Sequence, residues 1–144
     1  MALAAPPIQI MLVEDNPADV RLTVEALKEA RVPNRLQVAR DGVEAMQMLK
    51  EPAAGTSRPD VILLDLNLPR KDGREVLKEI KQDDALRHIP VVILSTSQAE
   101  QDVVHSYRLG ASAFITKPVE IDQFFEAVRS FERFWLAVAR LTRP

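Results

Sequence analysis

The chain has 144 residues, 47% hydrophobic and 28% charged, which suits one soluble globular domain with a proper core. Its net charge is −2 with both signs interspersed, so no basic face advertises nucleic acid and no polybasic run advertises a membrane. The absence of cysteine excludes disulfides, thiolate metal sites and thiol nucleophiles, and fits a reducing, cytoplasmic compartment.

The pattern predicts five strand–helix units. Residues 1–7 read as a disordered lead, because Pro6-Pro7 breaks the run and no basic residue precedes Arg21 to make an export signal. Ile10-Met11-Leu12-Val13 is the first strand and runs into Glu14-Asp15. Asn16-Pro17-Ala18-Asp19 then opens a helix with an Asn cap, Pro in the first turn and an early acid, and Val20, Val24 and Leu27 face inward. Pro33-Asn34 ends that helix, and Leu36-Gln37-Val38-Ala39 is polar enough for an edge strand. Asp41-Gly42 starts a second helix with Ala45, Met46 and Leu49 inward, and the longest loop spans residues 52–59. Val61-Ile62-Leu63-Leu64 runs into Asp65 as the central strand, followed by a third helix with Val76, Leu77 and Ile80 inward. Val91-Val92-Ile93-Leu94 runs into Ser95-Thr96, and Ser97-Gln98-Ala99-Glu100 is a capping box for a fourth helix stopped at Gly110. Ala113-Phe114-Ile115-Thr116 runs into Lys117-Pro118, and a long helix follows over about 120–141.

Short apolar runs alternating with helices read as parallel strands buried on both faces. The fold class is therefore α/β, a doubly wound flavodoxin-like sheet with strand order 2-1-3-4-5. Ligands of such sheets bind beyond the carboxyl ends of the strands. Glu14, Asp15, Asp65, Ser95 and Lys117 converge there, with Asp65 between its neighbours and Lys117 long enough to reach across. Three carboxylates on one rim call for a cation, and an all-oxygen set selects Mg²⁺ or Mn²⁺ over zinc. A single Asp at a strand end is more often a cap or a solvent contact. Two acids, a hydroxyl and a lysine at four strand ends outweigh that reading.

Val13-Glu14-Asp15-Asn16-Pro17, the run from Leu64-Asp65-Leu66-Asn67 to Asp72-Gly73, Leu94-Ser95-Thr96-Ser97 and Thr116-Lys117-Pro118 resemble, in order, the signatures of a response-regulator receiver domain. More narrowly, the chain resembles the single-domain regulators paired with bacterial phytochrome histidine kinases. The resemblance implies that Asp65 is the phosphoacceptor for a sensor histidine kinase. It implies Mg²⁺ held by Asp15 and Asp65, by the Asn67 backbone carbonyl and by Glu14 through water; the family often has Asp where Glu14 stands. Lys117 would pair with Asp65 at rest and with phosphoryl oxygens afterwards. Ser95 would donate its hydroxyl to the phosphate, Phe114 would be the switch aromatic, and the Lys117–Pro118 peptide would be cis. It also implies one receiver domain over 1–144 without an output domain.

Five of the seven aromatics, Phe124, Phe125, Phe131, Phe134 and Trp135, lie in the last helix. Ile121, Phe124, Val128, Phe131, Trp135 and Val138 make one seam, leaving Phe125, Phe134 and Leu141 outside it. That surplus points to a homodimer through the fourth helix, fifth strand and fifth helix. His88 and His105 read as surface residues, and Tyr107 as part of the fourth helix's apolar face. Two rivals stand. A Mg²⁺-dependent phosphatase or phosphotransferase of the haloacid-dehalogenase type also uses an Asp nucleophile, but it wants a second Asp where Asn67 stands. A scaffold receiver that is never phosphorylated would have no need of Asp15, Asp65, Ser95 and Lys117 together.

Overall fold

Parallel strands cannot be joined by tight hairpins, and among the described residues the first three apolar runs are each followed by a helical crossover. The computed structural model describes residues 7–29, 33–52, 54, 55, 57–95, 105, 107–117, 122 and 123. Its strands are β1 (Ile8–Val13), β2 (Asn34–Ala39), β3 (Val61–Asp65), β4 (Val91–Ser95) and β5 (Ala113–Thr116). Between them lie α1 (Pro17–Lys28), α2 (Gly42–Lys50) and α3 (Gly73–Gln82). All pairings are parallel, and the order is β2-β1-β3-β4-β5, as the alternation of runs and helices predicts.

Strand alternation divides the core in two. Met11, Val13, Ile62, Leu64, Val91 and Ile93 join Ala45, Met46 and Leu49 of α2 and Val76, Leu77 and Ile80 of α3 on one face. Ile8, Ile10, Leu12, Val61, Leu63, Val92, Leu94, Ala113 and Ile115 meet Leu27 of α1 on the other. Every residue of β3 is buried, as the central strand of a sheet covered on both faces must be.

The local starts are those the sequence marks. Asn16 caps α1 by accepting from the N–H groups of Ala18 and Asp19, with Pro17 behind it. Asp41 caps α2 through the Glu44 N–H at 2.8 Å. Gly110, at φ 102°, is the left-handed stop after Leu109.

Three expectations need correction. Asn34 does not end the first helix: α1 stops at Lys28, and Asn34 opens β2 opposite Ile8, its side-chain amide donating to the Leu27 carbonyl at 3.1 Å. The α1 face is completed by a polar residue: Thr23 is buried, its hydroxyl donating to the Asp19 carbonyl at 3.0 Å, while Val20 and Val24 are half-buried. Tyr107 lies not inward but 49% exposed. The Ser97–Glu100 capping box, the Lys117–Pro118 peptide and the aromatic helix from Phe124 to Trp135 lie outside the described residues, and so does the side chain of Ser95. Among the described residues no helix is long and apolar enough to cross a membrane.

Candidate functional site

Register brings the strand-end residues together. Val13 pairs with Leu64, so Glu14 follows beside Asp65. Asp65 pairs with Leu94, and Ser95 with Thr116, so the backbone of Ser95 lies one step and that of Lys117 two steps further along the same edge. Alternation then sorts the side chains. Glu14 continues the series Ile10, Leu12; Asp65 continues Val61, Leu63; Lys117 continues Ala113, Ile115, and all three series face α1.

The result is a compact charged cluster. Carboxylate oxygens of Glu14, Asp15 and Asp65 all lie within 4.8 Å of one another. Glu14 and Asp65 are buried, at 1% and 4% exposure, while Asp15 is open to solvent. The Lys117 ammonium donates to Glu14 and, at 3.1 Å, to Asp19 in the first turn of α1, and it stands 3.4 Å from Asp65. The second Glu14 oxygen accepts from the Asn16 N–H at 3.3 Å, and Asp65 accepts from the Asn67 N–H at 3.4 Å.

Burial pushes the Glu14 carboxyl up strongly. The Lys117 hydrogen bond opposes this and the Asp65 charge reinforces it, leaving the group at about 7. Burial also works against the charge of Lys117, but the hydrogen bond to Glu14 and the charges of Asp65 and Glu14 outweigh it and hold the ammonium above its ordinary value. Three carboxyl groups, of Glu14, Asp19 and Asp65, therefore share one lysine, with Asp15 close by. That excess of negative charge, the oxygen-only donor set and the open flank at Asp15 fit a hard divalent cation.

The β3–α3 loop that carries Asn67 is held at both ends. Gly73 donates its N–H to the Leu66 carbonyl at 3.0 Å, and Asp72 caps α3 through the Arg74 N–H at 2.8 Å. In between, Arg70 sits at φ 66°, with the Lys71 N–H donating to the Pro69 carbonyl at 2.7 Å. That combination is a γ-turn of the strained hand. The Arg70 guanidinium is 3.3 Å from Asp41, which ties the loop to the start of α2.

Of the residues singled out in the sequence, Glu14, Asp15, Asp65 and Lys117 converge by side chain, and Asn67 by its backbone. Phe114 does not join them; it is half-buried against the α2–α3 face. Asp19 is the addition, since its place in the sequence marks it only as a first-turn acid. His88 and His105 are both exposed and away from this edge.

Residues 10–129 match the family model described as the response regulator receiver domain. The chain belongs to that family. It is 47% identical over 138 residues to the response regulator Rcp1 of Synechocystis sp., covering 94% of each chain. Among solved structures, the bacteriophytochrome response regulator AtBRR is 48% identical with a TM-score of 0.81, covering 90% of this chain and 96% of that one. The phosphorylated cyanobacterial phytochrome response regulator RcpA is 53% identical with a TM-score of 0.75, covering 91% of this chain and 95% of that one. The Mn²⁺-bound form of Rcp1 is 46% identical with a TM-score of 0.74, covering 96% and 99%. This receiver is accordingly a phosphorylation-controlled switch of two-component signalling that works with a divalent metal.

Proposed function

We propose that Asp65 accepts the phosphoryl group, and that the donor is a sensor histidine kinase of the bacteriophytochrome class. One observation carries the assignment: Asp65 ends the fully buried central strand with two carboxylates within 4.8 Å and the Lys117 ammonium 3.4 Å away. A carboxylate oxygen of Asp65 attacks phosphorus, the bond to the donor nitrogen breaks, and an acyl phosphate forms. A bound Mg²⁺ or Mn²⁺ supplies neutralisation of the clustered acids and of the incoming phosphoryl charge. Asp15, Asp65 and the Asn67 carbonyl would hold it, with Glu14 acting through water. Lys117 takes up phosphoryl oxygens, and the Ser95 hydroxyl donates to another. The kinase class rests on the phytochrome regulators that this chain resembles at 48% and 53% identity.

The output is repacking. Phosphorylation adds roughly two negative charges and several acceptor oxygens, which draw in Ser95 and Lys117. Phe114 then fills the space left beside β4, and the face of the fourth helix, β5 and the fifth helix changes shape. A homodimer through that face, in the cytoplasm, receives the change. Its support is the aromatic surplus between Phe124 and Trp135 together with exposed Tyr107.

Incubation with bacteriophytochrome and unrelated histidine kinases, labelled ATP and Mg²⁺ tests the reading. Label should map to Asp65 from the phytochrome-type donor and vanish in Asp65→Asn. Full labelling of Asp65→Asn would overturn the assignment. Steady turnover of small phosphate esters would favour the phosphatase reading, against which Asn67 already stands. Sedimentation of wild type against Phe134→Glu tests the dimer, and a monomer throughout at tens of micromolar would remove it.

A further inference from the structure

Lys117 has three N–H donors and three carboxylates around it, and Asp65 is not the nearest of them. Glu14 is closest, Asp19 follows at 3.1 Å, and Asp65 stands at 3.4 Å. Glu14 sits on the same buried side as Asp65 and can stay with Lys117 when the lysine moves. Asp19 is different. It projects from the first turn of α1, 28% exposed, at the outer lip of the cluster. With three N–H donors, Lys117 cannot take up phosphoryl oxygens on Asp65 and keep all three carboxylate contacts.

On the reading of Asp65 as phosphoacceptor, we propose that Asp19 is a positioning residue that competes for Lys117. It holds the ammonium towards α1 in the resting state and must release it when a phosphoryl group arrives. Asp19 thereby sets how much of the phosphoryl charge is needed to throw the switch, without touching the phosphorus itself. The hydrogen bonds of Asp19 within α1 belong to its backbone, and its side chain adds there only the favourable charge of a first-turn acid. Its N–H donates to the Asn16 cap and its carbonyl accepts from Thr23. Replacing the carboxylate by an amide therefore keeps the hydrogen bonds of the helix start and removes only that charge.

The test is a titration of wild type and Asp19→Asn with trifluoroberyllate, a phosphoryl mimic, at saturating Mg²⁺, with bound fluorine followed by NMR. Asp19→Asn should bind the mimic about two- to five-fold more tightly, the range of a partly exposed ion pair being lost only at rest. Asp19→Glu should return the affinity towards wild type. The gain must disappear in a Lys117→Ala background, since the competition runs through that ammonium. A purely structural role would weaken the mimic, and would lower the thermal midpoint and the Mg²⁺ affinity along with it. Equal or weaker binding by Asp19→Asn overturns the proposal, as does a gain that survives Lys117→Ala. Failure of wild type itself to bind the mimic would instead strike the assignment of Asp65.

Discussion

Gly73 packs directly on the backbone of Asp65: a Cβ at position 73 would lie 2.2 Å from the Asp65 carbonyl oxygen and 2.7 Å from the Leu66 Cα. Both obstacles are main chain and cannot rotate away. The glycine is thus what lets α3 begin against the end of β3.

Gly73→Ala should therefore lose more than about 2 kcal/mol in urea denaturation, in the range of substitutions that force backbone apart. It should also weaken Mg²⁺ binding, because the loop carrying Asn67 starts at the strand end that would be displaced. A variant with wild-type stability and metal affinity would show that the contact relaxes without effect.

Glu14 makes the metal-free protein pH-sensitive. Its carboxyl titrates at about 7 in the folded chain against an ordinary value of 4.5. Between those values the folded state holds a proton that the unfolded state lacks, so stability falls as pH rises through the window and levels off above it. The shift corresponds to at most about 3 kcal/mol. With chelator present, the thermal midpoint should drop from pH 5 to pH 7.5, and Glu14→Gln should flatten that dependence. Unchanged slope in Glu14→Gln would place the titrating group elsewhere.

Arg70 offers a separable test of loop strain. Its left-handed backbone costs about 1–2 kcal/mol, and its ion pair with Asp41, on a side chain 65% exposed, is screened by solvent and offsets little of that. Arg70→Gly should lie within about 1 kcal/mol of wild type, since glycine relieves the strain but adds unfolded-state entropy. Arg70→Val should be at least about 1 kcal/mol less stable than Arg70→Gly, because a β-branched residue tolerates φ 66° poorly. Equal chemical denaturation midpoints for the two variants would contradict the strain.

Asp15 is exposed while its neighbours are buried. Asp15→Ala should leave the denaturation curve nearly unchanged and lower Mg²⁺ affinity ten-fold or more by calorimetry, since one charged ligand is lost. Wild-type affinity in Asp15→Ala would exclude it from the metal shell.

Much of this architecture is legible in the sequence because it depends on local signals. Val61–Leu64 names the central strand by composition, and Asn16-Pro17 and Asp41 name helix starts through caps that act within three residues. What is not legible depends on distance and on the turn of a helix. The Asp19–Lys117 contact spans 98 residues and exists only because the first turn of α1 faces the end of β5. The opening of β2 at Asn34 is set by backbone pairing with Ile8, to which apolar patterning is blind. Tyr107 fits the helical period of its neighbours and still points outward, since periodicity finds a stripe but not the side on which the sheet lies.

The spacing of Phe114 and Lys117 carries one more consequence. Three positions is an odd interval, so along β5 the aromatic falls to the α2–α3 side and the lysine to the α1 side. Sensing and reporting are thus kept apart by the thickness of a single pleated layer, and the signal has to cross the sheet to pass from one to the other. Deleting or inserting one residue between the two would put both on one side of the sheet, either the ammonium among aliphatic groups or the ring against the acids. The count of residues in that short stretch is as much a functional element as any side chain in it.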